Sequence, residues 1–218
     1  MLGSEPLPAA SPLEYVRGLF DRYAGRFDEH LVGQLRYRLP ELIVQQLQSL
    51  VRSAALDVLD VGCGTGLCGP LLKPWARSLT GLDVSEKMLE QARAKNVYDH
   101  LVAAEAATFL ATQHAAFDLI VAADVFIYIG DLSGVFDGAR QALRPGGLFA
   151  FSTEAGTDAK VSLQPSLRFA HADSYLRAQA GRGGWQMESL TTQVLREEGG
   201  RSVDGHLAVL RRAAVSPS

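Results

Sequence analysis

The sequence predicts an α/β fold built on a mostly parallel sheet with helices on both faces. Three observations lead there. The short apolar run Leu56 to Val61 passes straight into three alternating glycines, Gly62, Gly64 and Gly66. Positions such as Val58, Leu59, Val61, Leu119, Ile120 and Val121 are apolar in succession, as strands covered on both faces must be. Ahead of the first strand, apolar residues recur at helical spacing.

From the N-terminus, Gly3 to Pro12 reads as a flexible linker, so residues 1–11 are set apart as a flexible segment. Val16, Leu19, Phe20, Tyr23 and Phe27 predict an amphipathic helix from about Pro12 to Asp28. The plain expectation for its stripe is packing against the sheet. Leu39, Leu42, Ile43, Gln46, Leu47 and Leu50 predict a second helix, with Pro40 near its first turn. Leu56 to Val61 is too short for a helix, and Val58 and Val61 are β-branched, which suits a buried strand. The glycines that follow remove Cβ atoms where the backbone turns tightly and approaches a ligand. A helix is expected from about Leu67, its first N–H groups facing whatever lies on the glycines.

Two cofactors compete for that loop. A dinucleotide fingerprint needs glycines at the first, third and sixth positions after the strand. Gly64, Gly66 and Gly69 match it literally but start two residues late, and counting from Gly62 puts Leu67 where the third glycine belongs. The Asp60 carboxylate would also repel a pyrophosphate. A zwitterionic ligand fits better, with its carboxylate at the helix start and its ammonium near Asp60 or nearby carbonyls.

Here the chain resembles the class I S-adenosylmethionine-dependent methyltransferases, and the resemblance covers most of its length. Ser78-Leu79-Thr80-Gly81-Leu82-Asp83 looks like the second strand, ending in the acid that grips the cofactor ribose through charge-assisted hydrogen bonds. Val84 follows, then Ser85 as N-cap of the next helix, with Met88 placed by the resemblance near the adenosine. Leu101 to Ala106 resembles the third strand and the adenine-binding turn, with Glu105 where the family usually has Asp. Phe117 to Asp124 resembles the fourth strand, and Leu143-Arg144-Pro145-Gly146-Gly147-Leu148 the turn into a fifth, Leu148 to Thr153. Trp185 to Glu197 and Gly205 to Leu210, joined by a turn at Glu198-Gly199-Gly200-Arg201, complete the antiparallel pair that the family supplies. The implied fold is Rossmann-like and seven-stranded, with an N-terminal helical lid.

Tyr15 to Asp28, with Leu35-Arg36-Tyr37-Arg38-Leu39-Pro40, is similar to the lid of poorly characterised bacterial methyltransferases whose longer members carry tetratricopeptide repeats. No 34-residue repeat is present in this sequence, so the chain reads as a short form or a fragment. The resemblance implies cofactor contacts from Asp60, Gly62, Cys63, Gly64, Gly66, Asp83, Val84, Met88, Glu105, Ala106 and Asp124, with Tyr23 and Tyr37 from the lid. Methyl transfer needs a base only when the acceptor arrives protonated. Asp124 is a candidate for orienting the methionine ammonium or acting as a base, Tyr128 for positioning an acceptor, and His171 for acid–base work. Asp124 to Ile129 lacks the Asn/Asp-Pro-Pro-aromatic pattern of amino-nitrogen methylation.

The 218 residues suit one domain at 12–212, divided into a lid at 12–52 and a core at 53–212, with a tail at 213–218. A net charge of −3 advertises no nucleic acid. Cys63 and Cys68, without companion histidines, make a poor zinc site, so no metal is expected and a reduced, cytoplasmic setting is the default. Met1 to Ala10 has no signal-peptide pattern, and no apolar run reaches membrane-spanning length. The expected activity is in-line methyl transfer from S-adenosylmethionine to a small molecule, giving S-adenosylhomocysteine. The alternatives are an NAD-type oxidoreductase and a non-catalytic cofactor-binding protein of assembly or regulation.

Overall fold

In the computed structural model, described for residues 7–28, 37–157 and 160–214, one sheet runs through the molecule in the order β3-β2-β1-β4-β5-β7-β6. Leu35 and Arg36 of the lid segment, the start of the N-terminal linker and residues 215–218 lie outside the described residues. The parallel strands are β1 (Leu56–Val61), β2 (Ala76–Asp83), β3 (His100–Ala103), β4 (Phe117–Ala122) and β5 (Leu143–Ala155). Antiparallel to β5 runs β9 (Arg201–Arg212), which pairs in turn with β8 (Trp185–Glu198). Gly199 and Gly200 turn that hairpin at φ +56° and +74°, a conformation that glycine adopts without steric cost.

Alternation along the strands sorts side chains to two cores. Leu119 and Val121 pack on one face with Leu39, Ile43 and Leu47 of α2 (Leu39–Leu47) and Leu72 of α3 (Gly69–Leu72). Ile120 and Ala122 face the other way, toward α5 (Ala106–Ala111), α6 (Ser133–Ala142) and α7 (Asp173–Arg182). There Phe149, Phe151, Phe136 and Trp185 form a cluster of tilted and edge-on rings. Ser85 caps α4 (Glu86–Ala94), accepting the N–H of Met88 at 3.2 Å.

Several expectations need correction. The first helix, α1, spans Leu13–Tyr23 and is interrupted by a 3-10 turn at Ala24–Arg26, where Gly25 weakens helix propensity, before helical backbone resumes at residues 27 and 28. None of its residues is buried in a core. Within the described part of the N-terminal segment, Ala9 accepts the N–H groups of Gly130 and Asp131 at 2.8 Å, and the Ser11 N–H donates to the Tyr128 carbonyl at 2.9 Å. The helix after the glycine loop starts at Gly69, not Leu67, and stops after four residues because Pro74 follows. β5 starts at Leu143, before the predicted turn has ended. Among the described residues the sheet holds the seven expected strands and two more, because a short hairpin, β6 (Val161–Leu163) and β7 (Phe169–His171), pairs with the end of β5. These three-residue strands carry too little pattern to be read from sequence.

Candidate active site

Beyond the carboxyl ends of β1, β2 and β4 lies a cavity of about 700 Å3, roofed by α1 and bounded by the β8–β9 hairpin. The apolar stripe of α1 (Leu13, Val16, Leu19, Phe20, Tyr23) faces this cavity and not the sheet. Phe20 sits edge-on to Tyr128 at 5.5 Å, and Phe27 edge-on to Tyr23 at 5.4 Å. The roof is tied to the core by polar contacts. Ser85 Oγ donates to Asp21 at 2.6 Å, Lys95 pairs with Asp28 at 2.7 Å, and the Thr65 hydroxyl donates to Asp28.

The floor is the glycine loop. Gly62 and Gly64 adopt φ of +62° and +54°, and a Cβ on Gly64 would meet only Phe27, at 3.7 Å. Asp83, at the end of β2, accepts the N–H of Gly64 at 2.9 Å and of Ser85 at 2.8 Å, fixing the loop against the strand. Burial raises its pKa against the pull of these amides. Asp60 is 1% exposed and accepts the Tyr98 hydroxyl on Oδ2 at 2.6 Å, while its Oδ1 has no hydrogen-bond partner among the described residues. Burial pushes its pKa up to about 7, opposed by Tyr98 and reinforced by the Asp83 charge.

These residues fit S-adenosylmethionine. An orphaned buried carboxylate oxygen calls for a donor such as an ammonium. The Gly64 backbone lies open to the cavity, and Asp83 lines it within reach of a polyol. Cys63, Val84, Ala106, Tyr23 and Tyr37 line it as well. Glu105 does too, but its two oxygens accept the N–H groups of Ala107 and Thr108, so it serves α5 as N-cap. Two expected contacts fall elsewhere. Gly66 borders the Tyr98 ring, 2.9 Å from where its Cβ would stand, and not the cavity. Met88 is fully buried beneath α4, on the inner side of the helix that Ser85 caps.

The other end of the cavity is charged. Asp124, at φ +60°, anchors its N–H on Ser152 Oγ at 2.9 Å and pairs with Arg196 at 3.2 Å. Arg196, whose side chain is 2% exposed, also pairs with Glu154 and, at 3.5 Å, with Glu198. Arg168 reaches Glu198 at 2.6 Å and Glu154 at 3.6 Å. Although burial opposes it, Asp124 and Glu154 hold the Arg196 guanidinium protonated above its ordinary range. Burial pushes Glu198 up, yet Arg168 and Arg196 prevail and hold it low. Tyr128 lines this end beside Arg168, its pKa raised by burial.

His171, expected as a base, is not in the cavity. It is completely buried on β7, its Nε2 3.1 Å from the Gly130 carbonyl oxygen, and burial drives its pKa down to about 4. It is a neutral structural residue. Arg168, Arg196 and Glu198 were not singled out from the sequence. Arg196 escapes the alternation because a bulge between Val194 and Arg196 turns both Leu195 and Arg196 inward. Among the described residues no helix is long and apolar enough to cross a membrane, and no cluster of His, Cys, Asp and Glu could hold a metal.

Comparison with known proteins places this geometry. Residues 59–151 match the family described as a methyltransferase domain. The malonyl-[acyl-carrier protein] O-methyltransferase of Xylella fastidiosa (strain M23) is 33% identical over 165 residues, 73% of this chain but only 54% of that protein. Its counterpart from Pseudescherichia vulneris is 30% identical over 186 residues, covering 81% of this chain and 72% of that protein. Magnesium protoporphyrin IX methyltransferase (ChlM) from Synechocystis PCC 6803 superposes with a TM-score of 0.71 at 18% identity, over 92% of this chain and 99% of that one. That likeness shows the fold.

Proposed function

Because the chain belongs to the S-adenosylmethionine-dependent methyltransferase family, we propose that it methylates a carboxylate oxygen of a small acid, free or carried as an acyl group. The composition of the acceptor end supports this reading. Arg168 and Arg196 are cations there, and each acid beside them is already ion-paired. Burial keeps Tyr128 protonated, and no histidine lines the cavity among the described residues. Among the described residues no free base is at hand, so in this reading the acceptor arrives as an anion. A carboxylate does so at neutral pH, whereas an alcohol or an ammonium does not.

When bound, S-adenosylmethionine supplies an electrophilic methyl carbon, which is the hard part of the chemistry. The chain's share is placement. Asp60, Gly64 and Asp83 hold the amino-acid and ribose parts, and α1 with Phe20 and Tyr23 excludes water. Arg168 receives the acceptor carboxylate in place of Glu198, whose side chain is 44% exposed and free to withdraw into solvent. The names of the relatives, O-methyltransferases of a malonyl group, fit a carboxyl acceptor. We place the chain among bacterial methyltransferases whose longer members carry tetratricopeptide repeats, on the strength of its lid. Residues 12–212 act as one unit in this reading. The free, buried thiols of Cys63 and Cys68 suit a reducing cytoplasm.

Methyl-labelled S-adenosylmethionine, offered with panels of carboxylic acids, acyl thioesters, alcohols and amines, tests the proposal. Methyl esters release their label as volatile methanol in base. Base-volatile label that depends on Arg168 is the expected result. Label confined to base-stable products would overturn the carboxylate assignment, and absence of turnover across all panels would favour the non-catalytic alternative.

A further inference from the structure

Tyr98 lies in the loop between α4 and β3 and does not line the cavity. Three glycines make room for its ring. A Cβ would stand 2.9 Å from it at Gly66, 3.0 Å at Gly69 and 2.9 Å at Gly81. These glycines come from the cofactor loop, the short helix after it and the second strand, so three elements converge on one aromatic residue. A phenylalanine would fill that slot equally well. What packing leaves unexplained is the hydroxyl, which donates to Oδ2 of Asp60 at 2.6 Å.

That bond decides how Asp60 is presented. With Oδ2 tied back to Tyr98, the buried Oδ1 is left without a partner among the described residues, on a residue that lines the cavity. Among the described residues, the titratable groups around Asp60 are Tyr98, Asp83, Cys63, Cys68 and Tyr37, and not one of them is a cation. The site is therefore a buried acid that awaits a positive charge from the cavity side.

We propose that Tyr98 is a positioning residue: its hydroxyl holds one oxygen of Asp60 so that the other stands as an ionised acceptor for the primary ammonium of the ligand on the glycine loop. The inference rests on S-adenosylmethionine being that ligand, and it assigns the recognition of the amino-acid end to a residue that never touches it. Losing the hydroxyl removes a donor that favours the ionised form of Asp60. Without it, Asp60 takes up a proton at higher pH, and ammonium binding weakens near neutrality.

The test compares S-adenosylhomocysteine with 5′-methylthioadenosine, which keeps the nucleoside and lacks the amino-acid part. Titration calorimetry of the whole chain at pH 6 to 8.5 reads both. Wild-type affinity for S-adenosylhomocysteine should fall as pH drops through about 7, and affinity for methylthioadenosine should stay flat. Tyr98→Phe should weaken S-adenosylhomocysteine about 5- to 30-fold at pH 7 and move its pH midpoint upward, with methylthioadenosine unchanged within about two-fold. In an Asp60→Asn background, Tyr98→Phe should add no further loss.

Equal weakening of both ligands, or an unmoved midpoint, would mean that Tyr98 only packs. Should Tyr98→Phe fail to fold, identical pH profiles for the two ligands in the wild type would overturn the proposal by themselves. Failure of both ligands to bind the wild type would instead reject the cofactor reading.

Discussion

At Gly62 a Cβ would stand 2.4 Å from Cγ2 of Val125, and the backbone sits at φ +62°. Val125 is β-branched and has little rotamer freedom to yield. Gly62→Ala should therefore cost about 2–4 kcal/mol from left-handed strain and overpacking together. A fall in Tm and loss of S-adenosylhomocysteine binding are the readouts, and a variant of unchanged Tm would show that the loop relaxes. Gly64, at a similar φ, would bring its Cβ only into ordinary contact with Phe27 at 3.7 Å, so Gly64→Ala should carry the strain without the clash. His171 makes a different residue-scale prediction. Its folded pKa, about 4, lies below the roughly 6.5 of an exposed histidine, so the unfolded chain binds the extra proton. Stability from this group is full above pH 6.5 and declines as pH falls toward 4, amounting to about 2 kcal/mol lost by pH 5. His206, also lowered by burial, adds in the same direction. Urea unfolding at pH 7.5 and 5.0 measures the decline, and His171→Asn should flatten it. An equal decline in the variant would assign the acid sensitivity to other groups.

Among the elements, α1 shows both the reach and the limit of periodicity. The spacing of Val16, Leu19, Phe20 and Tyr23 correctly marks an apolar face, but periodicity does not say what that face covers. Here it covers a cavity large enough for a nucleoside ligand. The strands and the glycine loop were legible because their signals are local: a run of apolar residues, or a backbone that only glycine tolerates. The β6–β7 hairpin was not, since three-residue strands show no period. Nor could the sequence reveal that Asp21 and Asp28 fasten the lid, because their partners Ser85, Thr65 and Lys95 stand 37 to 67 residues away. Each of these contacts is partly exposed and weak alone. Asp28→Ala removes two of the three, and should raise amide exchange over residues 13–28 and speed S-adenosylhomocysteine release about three- to ten-fold, corresponding to roughly 1 kcal/mol. Exchange no faster than in the wild type would mean that the aromatic contacts of Phe20 and Phe27 hold the lid without the latch.

Across the whole molecule, Arg196 joins parts of the chain that local structure keeps apart. It binds Asp124 beyond β4, Glu154 on β5 and Glu198 at the tip of the hairpin, partners up to 72 residues distant. Its inward turn depends on the bulge in β8, and its reach to Glu154 depends on β9 lying between β8 and β5. Sequence patterning cannot supply that register, which is why the charged half of the cavity was missed while the glycine half was read. A buried ion network adds little net stability over an apolar one, but removing a single member leaves charge stranded. Arg196→Met would leave Asp124 and Glu154 facing each other without their shared cation, a loss on the order of 3–5 kcal/mol at neutral pH. Adding Glu154→Gln should recover part of the loss at neutral pH, because one stranded charge is then gone. Unfolding curves of the single and double variants at pH 7.5 decide the matter: a gap that Glu154→Gln does not narrow would mean that Arg196 contributes through packing of its aliphatic stem rather than through charge.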